Sequence, residues 1–299
     1  MTGIYKSEAG RQAIEAFYRK VLTRWPVANE HVIVPTRHGE TLVIACGATD
    51  APPVVLLHGS GSNSAVWIRD VAEWGKQYRV YAVDVIGEPG LSAQSRPPLR
   101  SDAYVDWLDD IYQHLGLTSA SLVGVSLGAW LALAYAVKRP ARVASLTLLS
   151  PAGIGARKTL FIVKAALMLM LGTRGVDKAW SAASGKAPAA GPLAEYMRLI
   201  FQNFRPRLEA PRVFTDAELR ALSMPMQVVV GANDAMLHAT QTRERVTRLL
   251  PHAEMIWLDG AGHMLPPQTT RVADFLARVG MTNRSSSPVE CDVRVMQEA

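Results

Sequence analysis

Short apolar runs alternate with longer amphipathic runs along most of this chain. The short runs are bounded by glycine, proline or polar residues, as strands are, and the longer runs repeat their apolar positions with the period of a helix. Strands that alternate with helices in this way form a mostly parallel sheet with helices on both faces. The sequence therefore predicts an α/β fold whose sheet has eight strands, at residues 31–35, 41–46, 53–57, 78–83, 120–123, 143–149, 226–230 and 254–258.

The strand pattern is interrupted between the sixth and seventh predicted strands. Residues 155–222 have a helical pattern throughout, punctuated by glycine, alanine, serine and proline, and contain no convincing strand. An all-helical insertion at this place predicts a cap over the edge of the sheet. The remaining predicted parts are an amphipathic N-terminal helix within residues 1–28, a core of residues 29–154 and 223–282, and a polar C-terminal tail at residues 283–299.

The composition excludes several classes of protein. Hydrophobic residues make up 49% and charged residues 19% of the chain, which is enough to bury a large core and excludes a disordered protein. The two cysteines, Cys46 and Cys291, exclude a disulfide-dense scaffold and favour a reducing compartment. The formal net charge is +6, but the basic residues are scattered and form no stripe with aromatic residues, so no nucleic-acid partner is predicted.

Two apolar features of the sequence bear on membrane insertion, and both argue against it. The N-terminus lacks the apolar stretch of a signal peptide. The most apolar segment, residues 160–172, contains Lys164 and is shorter than a membrane span. We therefore expect a soluble, cytoplasmic protein without stable membrane insertion.

A glycine-flanked serine is the first candidate for chemistry. The segment Gly124-Val125-Ser126-Leu127-Gly128 lies between a predicted strand and a helical run that follows at once. The chain must turn sharply there, and glycine on both sides of the serine leaves room for the turn. The N-terminus of the helix then directs free N–H groups towards the reaction centre. These features predict a nucleophile, and the alternative is a serine that only caps the helix.

A serine hydroxyl needs a base to remove its proton, and the base needs a carboxylate to orient it. Among seven histidines, His263 lies in a glycine-containing loop just after the last predicted strand. Asp234, directly after the seventh strand, is the preferred carboxylate. Asp259 is a weaker alternative because it is close to His263 in sequence and is expected to brace that loop. The end of the sixth strand, another possible place for the acid, has Ser150-Pro151 instead.

The loop at residues 58–61, His-Gly-Ser-Gly, follows the third predicted strand. Acyl transfer passes through a tetrahedral oxyanion, which needs two fixed N–H donors. We predict that the backbone N–H groups of Ser60 and Leu127 are these donors. His58 is the main competitor of His263 for the role of base, but it is expected to tie neighbouring loops together instead.

Four motifs occur in a fixed order along the chain: His-Gly-Ser-Gly at residues 58–61, Gly-Val-Ser-Leu-Gly at 124–128, Gly-Ala-Asn-Asp-Ala-Met at 231–236 and Gly-Ala-Gly-His-Met at 260–264. Together with the turn at residues 84–92 they resemble the α/β-hydrolase superfamily, and within it the capped bacterial carboxylesterases, over about residues 1–282. The resemblance implies a serine hydrolase that cleaves carboxylic esters through an acyl-enzyme intermediate. The sequence contains no metal-ligand cluster, no Walker loop and no dinucleotide fingerprint, so no cofactor or metal is expected.

Single residues separate this reading from related chemistries. Haloalkane dehalogenases and epoxide hydrolases resemble the chain but have aspartate where Ser126 stands, so they are excluded. Carbon–carbon bond hydrolases of the meta-cleavage type share the loop and the helical cap, but they tend to have tryptophan after the catalytic histidine, where this chain has Met264. A carbon–carbon bond or lactone hydrolase with the same three residues stays as the alternative. A second alternative is a non-catalytic, ligand-binding protein with this fold.

The substrate pocket is predicted from the cap. The apolar segment at residues 160–171 is expected to pack on its neighbours and also to roof a pocket for an acyl chain or an aromatic alcohol. Gly59, Met168 and Met264 are the predicted pocket residues. Within the apolar segment, the flexible side chains of Met168 and Met170 suit varied shapes. The expected partner is a small-molecule ester, and the chain is expected to be a monomer or a homodimer.

Overall fold

Eight strands form a single sheet in the computed structural model, which describes residues 3–159 and 191–285 and, between them, residues 168, 175, 177, 178 and 181. The strands are β1 (Asn29–Val34), β2 (Thr41–Cys46), β3 (Pro53–Leu57), β4 (Arg79–Val83), β5 (Ala120–Val125), β6 (Val143–Leu149), β7 (Met226–Gly231) and β8 (Glu254–Leu258). Their order in the sheet is β1-β2-β4-β3-β5-β6-β7-β8. β2 is antiparallel to both of its neighbours, and the other neighbouring strands are parallel. The predicted fold class is confirmed.

Helices cover both faces of this sheet. Those in the described part of the chain are α1 (Glu8–Leu22), α2 (Val71–Trp74), α3 (Ala103–His114), α4 (Leu127–Lys138), α5 (Pro192–Asn203), α6 (Asp216–Arg220), α7 (Ala239–Leu249) and α8 (Thr269–Ser285). α3, α4 and α7 pack on one face, and α1, α2 and α8 pack on the other. The parallel strands are therefore buried from both sides.

Strand β3 shows why a continuous apolar run predicts a strand in this protein. Val55 and Leu57 pack with α3 and α4 on one face, whereas Val54 and Leu56 pack with α1 and α2 on the other. Full burial of one such side chain stabilises the fold by about 1.5–3 kcal/mol. Because both faces of the strand are buried, its sequence is a continuous apolar run, which is the pattern of residues 53–57.

The sequence pattern missed the connection between β3 and β4. This connection contains a 3-10 turn at Ser64–Trp67 and the short helix α2. Each element has four residues, which is too few to show a helical period in a sequence window. Trp67 and Trp74 are nevertheless buried there, with ring centroids 6.1 Å apart, and cover the sheet between α1 and α8.

The N-terminal segment packs against the last part of the predicted cap. The N–H of Lys6 donates to the carbonyl of Asn203 at 2.7 Å. The rings of Phe17, on α1, and Tyr196, on α5, are stacked with centroids 4.6 Å apart. α5 and α6 are helices within the predicted cap, but most of residues 160–190 lie outside the described residues, so the cap limits stay a prediction.

Two other predictions lie wholly or partly beyond the described part of the chain. Within the apolar segment at residues 160–172, only residue 168 is described. α8 continues to Ser285, so the predicted tail boundary at residue 283 falls within this helix, and residues 286–299, with Cys291, are not described. Among the residues that are described, no helix combines the length and the apolar character needed to cross a membrane.

Candidate active site

Ser126 lies at the sharp turn between β5 and α4. Its backbone has φ of 53° and ψ of −108°, a left-handed conformation that L-residues rarely adopt. Its side chain makes no capping hydrogen bond to α4, which removes the alternative of a simple helix cap. The turn instead lifts the hydroxyl away from its own helix, at the carboxyl end of β5.

The glycines on either side of this turn are required by close packing. A Cβ atom at Gly124 would lie 2.5 Å from the carbonyl oxygen of Gly128. A Cβ atom at Gly128 would lie 2.0 Å from the carbonyl oxygen of Leu57, on β3. Since both obstacles are backbone atoms, they cannot rotate away as a flexible side chain does. The turn therefore depends on glycine at both positions.

We expect Gly128→Ala to destabilise the protein by about 3 kcal/mol, the upper end of the usual cost of overpacking, because β3 or α4 must shift to admit the methyl group. Chemical denaturation of the purified variant measures the loss. Gly280→Ala, on α8, is the matched control, because a Cβ atom there meets nothing within 4 Å. Equal stability of the two variants would contradict this account of the turn.

His263 joins Ser126 to Asp234 by two hydrogen bonds. Its Nε2 lies 3.0 Å from Ser126 Oγ, and its Nδ1 lies 2.8 Å from Asp234 Oδ2. The carboxylate can only accept, so Nδ1 carries a proton and Nε2 is left to accept the proton of the serine hydroxyl. Residues that are 137 and 29 positions apart in the sequence are thus brought together at one edge of the sheet.

Asp234 is held firmly in the loop after β7. It is 2% exposed, and its Oδ1 accepts the N–H groups of Met236 at 2.7 Å and Leu237 at 2.9 Å. Burial, the largest single influence, acts to raise the pKa of Asp234, but the hydrogen bonds from His263 and the two N–H groups together leave that pKa below its ordinary value. The carboxylate is therefore ionised at neutral pH and can stabilise a protonated imidazole.

Two contacts that support these residues were missed by the sequence analysis. Ser150 has a left-handed φ of 44° and donates its hydroxyl to the carbonyl of His263 at 2.8 Å. Lys158 donates from Nζ to the carbonyl of Asp234 at 2.6 Å. The sequence Ser150-Pro151 shows only that no acidic residue ends β6. Nothing near Ser150 in the sequence indicates that it bonds to His263. Asp259 accepts from the indole of Trp257 at 3.0 Å and so braces its own loop.

The loop after β3 lies against the serine. A Cβ atom at Gly59 would be 3.5 Å from Cβ of Ser126. His58 is 1% exposed; its Nε2 accepts the N–H of Val85 at 2.9 Å, and its Nδ1 lies 2.9 Å from the carbonyl of Gly59. Burial lowers the pKa of His58, so its ring is neutral and ties this loop to the turn after β4. It is not available as a second base.

The predicted oxyanion donors have free N–H groups. Within residues 3–159 and 191–285, neither Ser60 nor Leu127 donates its backbone N–H to a protein acceptor. The N–H of Gly61, by contrast, is taken by the carboxylate of Glu88 at 2.6 Å. Local sequence does not indicate Glu88, because the turn at residues 84–92 carries only a family resemblance.

The three predicted pocket residues differ in their position relative to Ser126 and in how much of their surroundings is described. Gly59 lies beside Ser126, as described above. Met264 follows His263 directly and is 40% exposed. Met168 is a half-buried helical residue, but its neighbours lie outside the described residues. The two methionines are therefore not shown to share a pocket with Ser126.

Comparison with known proteins agrees with this fold. Residues 54–277 match the model of the alpha/beta hydrolase family. Carboxylesterase YbfK of Bacillus subtilis (strain 168) is 32% identical over 266 residues, which cover 86% of this chain and 89% of that protein. The uncharacterized carboxylesterase nap of the same organism is 31% identical over 256 residues, which cover 83% and 85%. This chain belongs to the alpha/beta hydrolase family.

Solved structures of bacterial carboxylesterases are similar to this chain over most of its length. The crystal structure of carboxylesterase CesB (YbfK) from Bacillus subtilis has a TM-score of 0.80 at 30% identity and covers 90% of this chain and 99% of its own. That of naproxen esterase (carboxylesterase NP) from Bacillus subtilis has a TM-score of 0.80 at 29% identity and covers 93% and 99%. Within its family, the chain is therefore a carboxylesterase-like serine hydrolase, and the predicted resemblance is confirmed.

Proposed function

We propose that this protein hydrolyses carboxylic esters, with Ser126 as nucleophile, His263 as general base and acid, and Asp234 as the group that orients the histidine. The observation that carries the proposal is the continuous chain of hydrogen bonds from Ser126 Oγ through both ring nitrogens of His263 to Asp234. The full-length relatives that are named carboxylesterases support an ester as the substrate class.

The first half of the reaction forms an acyl-enzyme. Ser126 Oγ attacks the carbonyl carbon of the ester while His263 Nε2 takes the hydroxyl proton. The carbonyl oxygen becomes negative and accepts the N–H groups of Ser60 and Leu127. The bond from carbon to the alcohol oxygen then breaks, and the alcohol leaves with the proton from Nε2.

The second half releases the acid. A water molecule gives a proton to His263 Nε2 and attacks the acyl carbon, which regenerates the oxyanion at the same two N–H groups. When the bond to Ser126 Oγ breaks, the serine recovers its proton from Nε2. Asp234 stays ionised throughout, because the hydrogen bonds that it accepts from His263, Met236 and Leu237 outweigh the effect of its burial. Its charge stabilises the imidazolium that forms in each half.

We expect the protein to hydrolyse p-nitrophenyl esters of graded acyl length without added cofactor, and to be labelled on Ser126 by a fluorophosphonate. The same preparation is assayed on a dienoate and on a lactone, which are the substrates of the alternative hydrolases. Negligible ester turnover beside turnover of the dienoate or lactone would favour that alternative. Failure of Ser126 to react with the fluorophosphonate would favour the non-catalytic protein.

The finer features of this proposal come from the sequence. The limits of the cap at residues 155–222, a pocket that includes Gly59, Met168 and Met264, and a monomer or homodimer in the cytoplasm all stay predictions. Varying the acyl chain in the same ester series, with variants of Met168 and Met264, tests the pocket.

A further inference from the structure

A buried carboxylate lies behind the loop that faces Ser126. Glu88, in the turn after β4, is 2% exposed. Its Oε2 accepts the N–H of Gly61 at 2.6 Å and the hydroxyl of Ser60 at 3.1 Å. The mechanism proposed above gives this carboxylate no role, although it contacts the residue whose N–H is one of the oxyanion donors.

These contacts distinguish the two backbone N–H groups in the middle of the loop, those of Ser60 and Gly61. Glu88 takes that of Gly61, so that of Ser60 is left for the oxyanion. A Cβ atom at Gly59 would be 3.5 Å from Cβ of Ser126, so this loop lies beside the nucleophile. Oxyanion donors lose their effect when they are displaced from the position of the developing charge.

We propose that Glu88 is a positioning residue of the oxyanion loop: by holding the Gly61 N–H and the Ser60 hydroxyl, it keeps the Ser60 N–H directed at the oxyanion formed on Ser126. This inference rests on the proposed function, because it assigns Glu88 to the oxyanion of that reaction. Glu88 touches neither substrate nor reacting atoms and acts only through Ser60 and Gly61.

The charges around Glu88 come from four other segments of the chain. Arg96 and Arg207 attract its negative charge, and Tyr104 and Tyr5 are the other titratable groups that interact with it. Arg96 Nε donates to the carbonyl of Gly87 at 2.8 Å, directly beside Glu88. Burial, which outweighs both arginines and both hydrogen bonds, raises the pKa of Glu88 to about 7. Its charge therefore changes near neutral pH.

Activity and stability should respond to this charge in opposite directions. An ionised carboxylate accepts a stronger hydrogen bond than a protonated one, so the loop is held best above the pKa of Glu88. The pKa is higher in the folded protein than in the unfolded chain, so folding takes up a proton between the two values, and the contribution of Glu88 to stability falls as pH rises from about 4.5 to about 7. A residue kept only for structure would not show this opposition.

The test compares Glu88→Gln with the wild type. Glutamine retains a carbonyl acceptor for Gly61 but carries no charge. We expect kcat on a p-nitrophenyl ester to fall about tenfold at pH 8, a fraction of the loss caused by deleting an oxyanion donor, with KM changed less than about twofold. A trifluoromethyl ketone, which forms an oxyanion with Ser126, should bind about tenfold more weakly, in parallel with kcat.

Glu209→Gln is the matched control. Glu209 forms an ion pair with Arg207, at 3.0 Å, whose charge also acts on Glu88. Like Glu88, it accepts a backbone N–H, that of Leu99, but its hydrogen bonds in the described part of the chain do not go to the oxyanion loop. We expect its kcat and ketone affinity to equal those of the wild type. A loss equal to that of Glu88→Gln would overturn the proposal, because it would place the effect in the charge near Arg207 rather than in the loop.

The pH dependence separates positioning from structure. The ratio of wild-type to Glu88→Gln kcat/KM should be largest near pH 8.5 and approach one near about pH 5.5, where the protonated carboxyl resembles the amide. The melting temperature of Glu88→Gln relative to the wild type should be higher at pH 8 than at about pH 5.5. A ratio that does not change with pH would overturn the proposal.

Two further measurements cover the other outcomes. If Glu88→Gln does not fold, Glu88→Asp keeps the charge on a shorter side chain and should still have a lower kcat than the wild type. Full activity of this variant would refute the proposal.

The rate of fluorophosphonate labelling of Ser126 reports on the site without ester turnover. A slower rate in Glu88→Gln, with no ester hydrolysis by the wild type, refutes the ester function but supports the role of Glu88. Unchanged labelling and unchanged ester hydrolysis refute the role of Glu88 alone.

Discussion

Ser126→Ala is expected to lower kcat for a p-nitrophenyl ester by about 10⁴- to 10⁶-fold, because the acyl-enzyme can no longer form and only the binding of substrate and oxyanion is left. The fold should be retained, since the hydroxyl makes its hydrogen bond to His263 and none to the helix that it precedes. The measurement is steady-state hydrolysis, with the melting temperature recorded on the same preparation.

Ser121→Ala is the control for this variant. It removes a serine hydroxyl from the same strand, β5, where Ser121 is bonded to Ser145 at 2.8 Å and not to the site. We expect its kcat to stay within about twofold of the wild type, with a small loss of stability from the unpaired hydroxyl of Ser145. Near-normal esterase activity in Ser126→Ala would be fatal to the assignment of the nucleophile.

Asp234→Asn should lower kcat by about 10⁴-fold while the site keeps its shape. The carbonyl oxygen of the asparagine can continue to accept the N–H groups of Met236 and Leu237, which places its NH₂ group against His263 Nδ1. Nδ1 must then accept, so the ring proton moves to Nε2. In that tautomer Nε2 faces the Ser126 hydroxyl as a donor and cannot take its proton.

The comparison for this second variant is Asp259→Asn. Asp259 is the other acidic candidate near His263 in sequence, but it accepts from Trp257, at the end of β8. We expect its kcat to stay within about twofold of the wild type, because an exposed contact of this kind contributes little. If Asp259→Asn caused the larger loss, Asp234 would not be the carboxylate that orients the base.

The stability consequence of Asp234→Asn can be read from the same samples. The pKa of Asp234 is lowered in the folded protein, so this carboxylate contributes stability above its unfolded pKa and loses that contribution as pH falls through the folded value. The difference in melting temperature between the wild type and Asp234→Asn should therefore shift in favour of the variant as the solution becomes acidic. The catalytic loss, by contrast, persists at high pH, where the wild-type carboxylate is fully ionised.

Much of the fold could be predicted because its signals are local. A strand buried on both faces must be apolar along its length, as β3 is, and a helix that follows a strand at once must have glycine at the turn, as at Gly124 and Gly128. The same reasoning failed for the 3-10 turn at Ser64–Trp67 and for α2. Elements of four residues carry no period, and the burial of Trp67 and Trp74 that stabilises them depends on α1 and α8, which are distant in sequence.

The candidate site also contains residues that local sequence indicates and residues that it does not. Ser126, Asp234 and His263 could be chosen from the sequence because each follows a predicted strand, and strands of a parallel sheet end at the same edge. The sequence could not indicate that Ser150 holds the carbonyl of His263, 113 residues away, or that Glu88 holds Gly61, 27 residues away. A side chain that acts through a hydrogen bond to a distant backbone atom leaves no pattern around itself.

The alternation of strands and helices, the sharp turn at Ser126 and the residue types needed for acyl transfer follow from local sequence, since they depend on periodicity, glycine and chemical identity within a few residues. How these residues meet follows from the folded chain: His263 bridges Ser126 and Asp234, His58 is neutral and structural, and Glu88 lies buried behind the loop at residues 58–61. The reason is that distance, burial and pKa are properties of the folded chain. They are set by contacts between segments that the sequence separates and the sheet brings together.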